Sequence, residues 1–176
     1  MERLIDSFFP MRGWPVAAIV ILTQFIASYL VNLLPYSALR AIYPFLRPMR
    51  WERNGQIYQS LFHIRAWKDY IPAVGQFDKK NMKASLTPPY VSQYLLEGAR
   101  AELCHLYAVV FAIVLLFMTV DSAHIKIMLW AFALNAPCIM IQRYNRPRFE
   151  RFMKKDERGA IAFAEFWKSE IKEEGE

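Results

Sequence analysis

Three apolar blocks, separated by charged segments, constrain what this chain can fold into. The first block, residues 14–34, contains no charged residue and is long enough for a bilayer core, which requires roughly 20 residues. The other two, residues 105–120 and 125–141, are slightly short, but local thinning of the bilayer can absorb such a mismatch. The pattern predicts an all-α integral membrane protein with about three transmembrane helices, forming a single membrane domain over residues 1–176.

The first block also invites comparison with a cleaved signal peptide. Signal peptides have shorter apolar regions that end at a small-residue cleavage site. Here the apolar run is long and leads directly into LLPYSALRAIY. We therefore interpret residues 14–34 as a retained span, with cleavage as the alternative.

Basic residues indicate the orientation of the chain. Residues 35–104 hold ten Lys and Arg, and residues 142–176 hold nine, whereas only two precede the first block. Three spans place the 35–104 segment and the 142–176 tail on one side of the membrane, and the positive-inside rule makes that side cytoplasmic. The N-terminus and the short connection Asp121–His124 are then expected outside.

Two segments mix bulky apolar residues with charges, as interfacial helices do. Ile57–Ile71 interleaves aromatic and basic residues at near-helical spacing, which favours a helix lying among lipid headgroups. Gly159–Ile171 shows a similar but more acidic pattern. Between them, Gly75–Pro89 is polar and ends in TPP, which indicates a loop.

The short connection between the last two blocks predicts a tight helical hairpin. A turn centred between Ser122 and Ala123 places Glu102 level with Arg143, so that RAELCH (residues 100–105) faces QRYNRPR (residues 142–148). Pro137 would weaken the third helix, and Asn135 is expected to satisfy a freed backbone group.

Glu102 and His105 form the candidate catalytic pair. They are three residues apart and share one helix face, where a carboxylate can orient an imidazole and raise its basicity. This favours a general-base role for His105. The alternative is structural: Glu102 and Arg143 only lock the hairpin, while Arg146 and Arg148 hold lipid phosphates.

Other chemistries leave no signature in the sequence. The two cysteines, Cys104 and Cys138, and the three histidines lack metal-ligand spacing, so no metal site is predicted. Nucleophile elbows, Gly-rich phosphate loops and His-x4-Asp acyltransferase boxes are also missing from the sequence. The positive charge follows the flanks of the apolar blocks, which indicates membrane electrostatics rather than nucleic-acid binding.

Several motifs resemble those of the glycosyl-4,4'-diaponeurosporenoate acyltransferase family of bacterial carotenoid biosynthesis. They are RAELCH before one apolar block, ALNAPCIMIQRYNRPR at the end of the next, and WERNG followed by LFHIRAWKDYIP. The similarity covers roughly positions 50–150, and QRYNRPR is its most specific part. The resemblance implies an enzyme of the bacterial cell membrane that esterifies a sugar hydroxyl of a glycosylated carotenoid, or of a related glycolipid, with a fatty acyl group.

Resemblance and hairpin geometry together suggest roles for individual residues. His105 would remove the proton of the sugar hydroxyl while Glu102 stabilises the imidazolium. The predicted substrate-binding residues supply phosphate contacts or hydrogen bonds to the oxyanion: Gln142, Arg143, Asn145, Arg146, Arg65 and Lys68. Acyl-CoA is the expected co-substrate, and no permanently bound cofactor is expected.

Two other functions compete with this hypothesis. A membrane lipid or isoprenoid methyltransferase would use S-adenosylmethionine at a similar Arg/Asn/Pro-rich segment. A non-catalytic membrane scaffold would only hold other enzymes of a lipid pathway. For the acyltransferase, the expected partners are membrane lipid and glycolipid substrates.

Overall fold

The described part of the chain is helical throughout. A computed structural model describes residues 14–71, 87–118, 122–155 and 157–168, and these contain no strand, which confirms the all-α prediction. In chain order the elements are α1 (Trp14–Asn32), α2 (Tyr36–Ile42), two 3-10 helices (Tyr43–Leu46 and Arg50–Gly55), α3 (Gln56–Phe62), α4 (Ile64–Trp67), α5 (Pro88–Met118), α6 (Ser122–Met153) and α7 (Glu157–Lys168).

The helices group into two compact units. The first unit combines α1 with α5 from Glu102 onward and α6 as far as Ile139. The second unit contains residues 34–101 and the chain from Met140 onward. Each unit is described by itself below.

Small side chains fill the interior of the first unit, and large apolar ones cover its outside. The buried positions include Ala17, Ala27, Ala108, Ala112 and Ala131. The exposed positions include Ile21, Leu22, Phe25, Val110, Phe117, Leu129, Phe132 and Leu134. Helices that pack through alanines and present large apolar residues outward are typical of proteins whose solvent is lipid.

The number of candidate spans differs from the prediction. Ile125–Met153 is long and apolar enough to cross a membrane, and only 17% of its most apolar window is buried. Ala17–Asn32 meets the same criterion only together with Tyr36–Leu46, at a bend of 105°. The described residues thus contain one candidate span, or two with the bent pair, and three transmembrane helices are not confirmed.

The predicted span at residues 105–120 is helical as far as Met118, the last described residue of α5. Its last two residues lie outside the described part of the chain. The described stretch from His105 extends for about 21 Å, so it does not by itself confirm a span of the roughly 30 Å hydrocarbon core.

Helices of the structure extend into both predicted connections. Ser122 already belongs to α6, so the turn between α5 and α6 includes less of Asp121–His124 than expected, and Asp121 lies outside the described residues. The predicted loop Gly75–Pro89 also lies outside them as far as residue 86, and its last two prolines begin α5, because proline fits the first helical turn.

The predicted interfacial helix at Ile57–Ile71 is interrupted in the structure. His63 has a left-handed backbone with φ of +49°, which separates α3 from α4. Ile57, Trp67 and Ile71 pack against a core cluster made of Tyr58, Ile64, Ile141 and Tyr144. One side of this segment therefore packs in the interior of the second unit, while Leu61, Phe62 and Tyr70 are exposed.

The end of α6, residues 140–153, is the centre of the second unit. One flank faces α5, where the rings of Tyr94 and Phe149 lie 4.6 Å apart. A second flank faces the two 3-10 helices, and there the Tyr43 hydroxyl donates to Glu150 Oε1 at 2.7 Å. The third flank packs against α3 and α4 through the core cluster. A segment this polar is helical here because protein surrounds it on three sides.

The last described helix, α7, also packs onto the second unit. The ring of Trp167 lies 4.5 Å from that of Tyr43, and Phe163 packs edge-on against Trp167. The predicted amphipathic segment Gly159–Ile171 is thus helical as far as Lys168, and its remainder lies outside the described residues.

Candidate active site

His105 is oriented by an amide, Asn135, across the two helices of the first unit. His105 Nδ1 lies 2.7 Å from Asn135 Oδ1. Asn135 Nδ2 donates to the carbonyl oxygen of Ala131 at 2.7 Å, which leaves Oδ1 as the acceptor. The proton of the hydrogen bond must therefore reside on His105 Nδ1.

This hydrogen bond determines which histidine tautomer is present. With the proton on Nδ1, the other ring nitrogen, Nε2, carries a lone pair and is able to accept a proton. Catalytic histidines in acyl transfer are held by the same kind of contact at Nδ1. The geometry suits the predicted general base, although the orienting side chain is Asn135 rather than a carboxylate.

Asn135 acts on the backbone differently from the prediction. The missing N–H of Pro137 frees the carbonyl of Ala133, whereas Asn135 bonds the carbonyl of Ala131, four residues before itself. This second bond fixes the amide and, through it, the imidazole of His105.

Glu102 is fully buried and lies one turn before His105 on α5. Its role beside the imidazole stays a prediction, as does its pairing with Arg143. A turn centred between Ser122 and Ala123 would place His105 level with Met140. In the structure His105 instead contacts Asn135, and Ser122 already belongs to α6.

A small pocket lies between α5 and α6 within the second unit. Its lining contains three of the predicted substrate-binding residues, Gln142, Asn145 and Arg146, and α5 contributes Tyr94, Leu95 and Gly98. Gln142, Asn145 and Arg146 share one face because they are three and four residues apart on a helix. The pocket thus offers an amide pair and a guanidinium, which together suit an anion or an oxygen of developing negative charge.

Gly98 makes room for the amide of Gln142. A Cβ atom at position 98 would lie 2.9 Å from Gln142 Oε1, closer than side chains tolerate. The absence of a side chain on α5 therefore sets where the Gln142 amide lies. Gly98 is absent from the predicted site residues, since its effect depends on the approach of α6.

Tyr94 adds a hydroxyl to the same pocket. Its side chain shares a hydrogen bond with Asn145. Burial raises the pKa of Tyr94 above its ordinary value of 10.0, and the Asn145 hydrogen bond opposes this only in part. The phenol therefore stays protonated at neutral pH and remains a hydrogen-bonding group of the pocket.

Arg146 is almost fully buried, with 3% of its surface exposed. Its guanidinium donates to the carbonyl oxygen of Leu46 and lies 5.2 Å from the centroid of the Tyr43 ring. Burial and these contacts hold the cation at the edge of the pocket, away from bulk solvent.

Arg143 faces a different flank of α6 and does not line the pocket. Its guanidinium forms an ion pair with Glu52, in the second 3-10 helix. Arg143 is 8% exposed, and Glu52 is fully buried. Glu52 is absent from the predicted site residues, although it is the only acidic residue between positions 7 and 68, in a segment rich in arginine.

The turn that carries Glu52 is built from left-handed residues. Arg53, Asn54 and Gly55 have φ values of +49°, +54° and +79°. A Cβ atom at position 55 would lie 2.9 Å from the carbonyl oxygen of Arg143. That carbonyl has no helical N–H partner because Pro147 lies four residues later. The WERNG turn thus packs against the backbone of α6 where proline interrupts its hydrogen bonds.

Arg65 and Lys68 are in the second unit but do not line the pocket. Arg65 Nε donates to the Tyr144 hydroxyl at 2.7 Å, and Lys68 pairs with its neighbour Asp69 at 2.7 Å. The guanidinium of Arg148 lies over the ring of the same tyrosine, 3.3 Å from its centroid. The structure therefore gathers Gln142, Asn145 and Arg146, and leaves Arg65 and Lys68 on a separate flank.

Comparison with known proteins identifies similar chains. Residues 42–155 match the family model described as glycosyl-4,4'-diaponeurosporenoate acyltransferase. A protein of that name from Staphylococcus haemolyticus is 33% identical over 122 residues, which cover 65% of this chain and 71% of that protein. Another, from Staphylococcus aureus strain N315, is 24% identical over 160 residues, covering 88% and 92%. No solved structure matches the chain. The matched range includes every residue of the candidate site.

Proposed function

Because this chain belongs to the glycosyl-4,4'-diaponeurosporenoate acyltransferase family, it is an acyltransferase, and we propose that it acts on a membrane glycolipid. In this proposal it esterifies a sugar hydroxyl of a glycosylated carotenoid, or of a related glycolipid, with a fatty acyl group. The hydrogen bond between His105 and Asn135 carries the proposal, because it leaves a basic nitrogen on a histidine in the matched range.

The proposed reaction begins with proton transfer to His105. Nε2 takes the proton of the sugar hydroxyl as its oxygen attacks the acyl carbonyl, and Asn135 keeps Nδ1–H in place. The new C–O bond forms, the bond to the leaving thiolate breaks, and the imidazolium returns its proton to the thiolate. Glu102 is proposed to stabilise the imidazolium.

The donor is proposed to be acyl-CoA, which would provide both the thioester and several phosphates. Gln142, Asn145 and Arg146 of the pocket suit a phosphate or the carbonyl oxygen of the thioester. Arg143 is proposed to hold the WERNG turn against α6 through its pair with Glu52 rather than to contact the donor. Arg65 and Lys68 remain candidates for a separate phosphate contact.

A location in the bacterial cell membrane is part of the proposal. The exposed apolar side chains of the first unit, such as Phe25, Phe117 and Leu134, are unfavourable in water but favourable in lipid. We propose a multi-pass arrangement with the N-terminus outside and the C-terminus in the cytoplasm, as the distribution of basic residues suggests.

Lipid profiling of cells with and without the protein tests the function. We expect an acylated glycolipid that appears with the wild-type protein and is missing with His105→Ala, at equal amounts of protein in the membrane fraction. Wild-type product levels with His105→Ala would remove the histidine from the mechanism. A methylated lipid in place of an ester would contradict acyl transfer and support a methyltransferase.

A further inference from the structure

An exposed surface of the second unit combines arginines with large apolar side chains. It consists of Phe45, Arg47, Met49, Arg50, Trp51 and Arg53, all exposed, and is called the arginine–aromatic surface below. Phe45 is 86% exposed, Met49 55% and Trp51 57%. The proposed reaction uses none of these residues.

The charge of this surface has a single sign. Residues 43–55 contain three arginines and one acidic residue, Glu52, which is buried and paired with Arg143. The exposed side of the segment therefore carries only positive charge. Arginine stays protonated at any physiological pH and binds phosphate oxygens with two parallel hydrogen bonds.

The surface is held rigidly from the inside. Tyr43 and Leu46 are buried beneath it, and the Leu46 carbonyl accepts a hydrogen bond from Arg146. Glu52 is held by Arg143. The exposed apolar side chains therefore do not result from a loose segment, since their neighbours on both sides are attached to α6.

We propose that the arginine–aromatic surface binds the headgroup region of a membrane that contains anionic phospholipid. Phe45, Met49 and Trp51 would enter the boundary between headgroups and acyl chains, where tryptophan is favoured. The Trp51 Nε1–H already donates to Met49 Sδ at 3.1 Å, so the indole loses no hydrogen bond on leaving water. Arg47, Arg50 and Arg53 would bind the lipid phosphates. The proposal rests on the membrane location proposed above but not on the acyl-transfer chemistry.

Charge distinguishes the arginine–aromatic surface from Ile57–Ile71. The latter also exposes large apolar side chains, Leu61, Phe62 and Tyr70, although Ile57, Trp67 and Ile71 pack against the core cluster. Its charges have both signs, because Asp69 is exposed and pairs with Lys68. Charge complementarity then selects an anionic lipid surface as the occupant.

Fluorescence quenching by brominated lipids tests the proposal on the whole protein. Wild-type protein and Trp51→Phe are reconstituted in phosphatidylcholine vesicles that contain brominated phosphatidylglycerol or, in a parallel sample, brominated phosphatidylcholine. The difference between the two proteins is the emission of Trp51. We expect this emission to be quenched in both samples, and more strongly with the anionic brominated lipid.

Trp67 and the arginines provide matched controls. Trp67 donates to the Phe62 carbonyl at 2.8 Å and packs on the core, so the emission removed by Trp67→Phe should show no preference for the anionic lipid. Substitution of Arg50 by Gln should weaken the preference shown by Trp51 by roughly five-fold. Arg158→Gln, an exposed arginine outside the surface, should leave it unchanged.

Two outcomes would overturn the proposal. Unquenched Trp51 emission would mean that the surface faces water or a second copy of the chain. Equal quenching by the two brominated lipids would remove the anionic specificity. Neither outcome depends on whether acyl transfer is detected, so failure here is distinguishable from failure of the proposed function.

Discussion

Glu52 Oε1 accepts a hydrogen bond from Arg143 Nη1, while Glu52 Oε2 is buried without a hydrogen-bond partner among the described residues. The pair links the WERNG turn to the helix that carries three pocket residues. Removing one charge from such a pair leaves the other buried without its ion-pair partner, which is costly.

The first prediction concerns this ion pair. Glu52→Gln should destabilise the protein by about 3–5 kcal/mol, because Arg143 keeps its charge in a buried site. The double variant Glu52→Leu with Arg143→Met, which removes both charges, should recover most of that loss. Thermal unfolding in detergent measures both. A melting temperature of Glu52→Gln equal to that of the wild type would show that the pair contributes little to stability.

The second prediction tests whether the Asn135 contact orients His105. Asn135→Asp keeps an acceptor for Nδ1–H but loses the bond to Ala131, and it should retain more activity than Asn135→Leu, which should lower kcat by about 10²-fold by releasing the tautomer. Acyl transfer in isolated membranes measures both. His63→Asn is the control, since His63 is an exposed histidine elsewhere and asparagine tolerates its left-handed backbone. Equal kcat for both Asn135 variants would contradict the assignment.

The third prediction uses the space that Gly98 leaves for Gln142. Gly98→Ala should displace the Gln142 amide and raise KM for the acyl donor, with little loss of stability because a flexible side-chain end can move. Gln142→Ala should have a similar effect, and the double variant should be no worse than either, because both changes remove one interaction. Additive effects on KM would show that the two residues act separately.

The fourth prediction concerns alkaline pH. The pKa of Tyr94 is raised by burial, so the folded protein binds this proton more tightly than the unfolded chain does. The resulting stability is fully present below pH 10 and is lost as the pH rises through the folded pKa. Unfolding of Tyr94→Phe should therefore depend less on pH above 10 than that of the wild type. Identical alkaline unfolding curves would contradict the buried position of the phenol.

The fifth prediction concerns the left-handed turn. Gly55→Ala should destabilise the protein by about 1–3 kcal/mol, because it combines a positive φ with a clash against the Arg143 carbonyl. Asn54→Gly, at the neighbouring left-handed position, should change stability by less than about 1 kcal/mol. Denaturant unfolding measures both, and equal effects of the two substitutions would show that the close approach at position 55 is unimportant.

Three predicted site residues of one helix lie together in the pocket. Gln142, Asn145 and Arg146 could be grouped in advance, because helical spacing alone places them on one face. His105 was predicted from the carboxylate of Glu102, three residues before it on the same helix face, and its catalytic role stays a prediction. Three spans are not confirmed, because the described residues contain one candidate span, or two with the bent pair.

The partners of these residues could not be predicted, because they depend on how helices approach each other. Asn135 was expected to serve the backbone, and only the approach of α5 and α6 shows that it also holds His105. Glu52 precedes Arg143 by 91 positions, and no periodicity links them. The sequence nevertheless marks Glu52, because a single acidic residue in a segment rich in arginine is expected to form an ion pair.

The enclosure of α6 between Met140 and Met153 restricts how this chain can change length. Three flanks meet three different neighbours, and each neighbour requires its own side chains. One inserted residue before Gln142 would rotate all later positions by about 100° and deliver the pocket residues to the wrong neighbour. Homologous chains should therefore differ here by substitution alone, and place their insertions in the connections between helices.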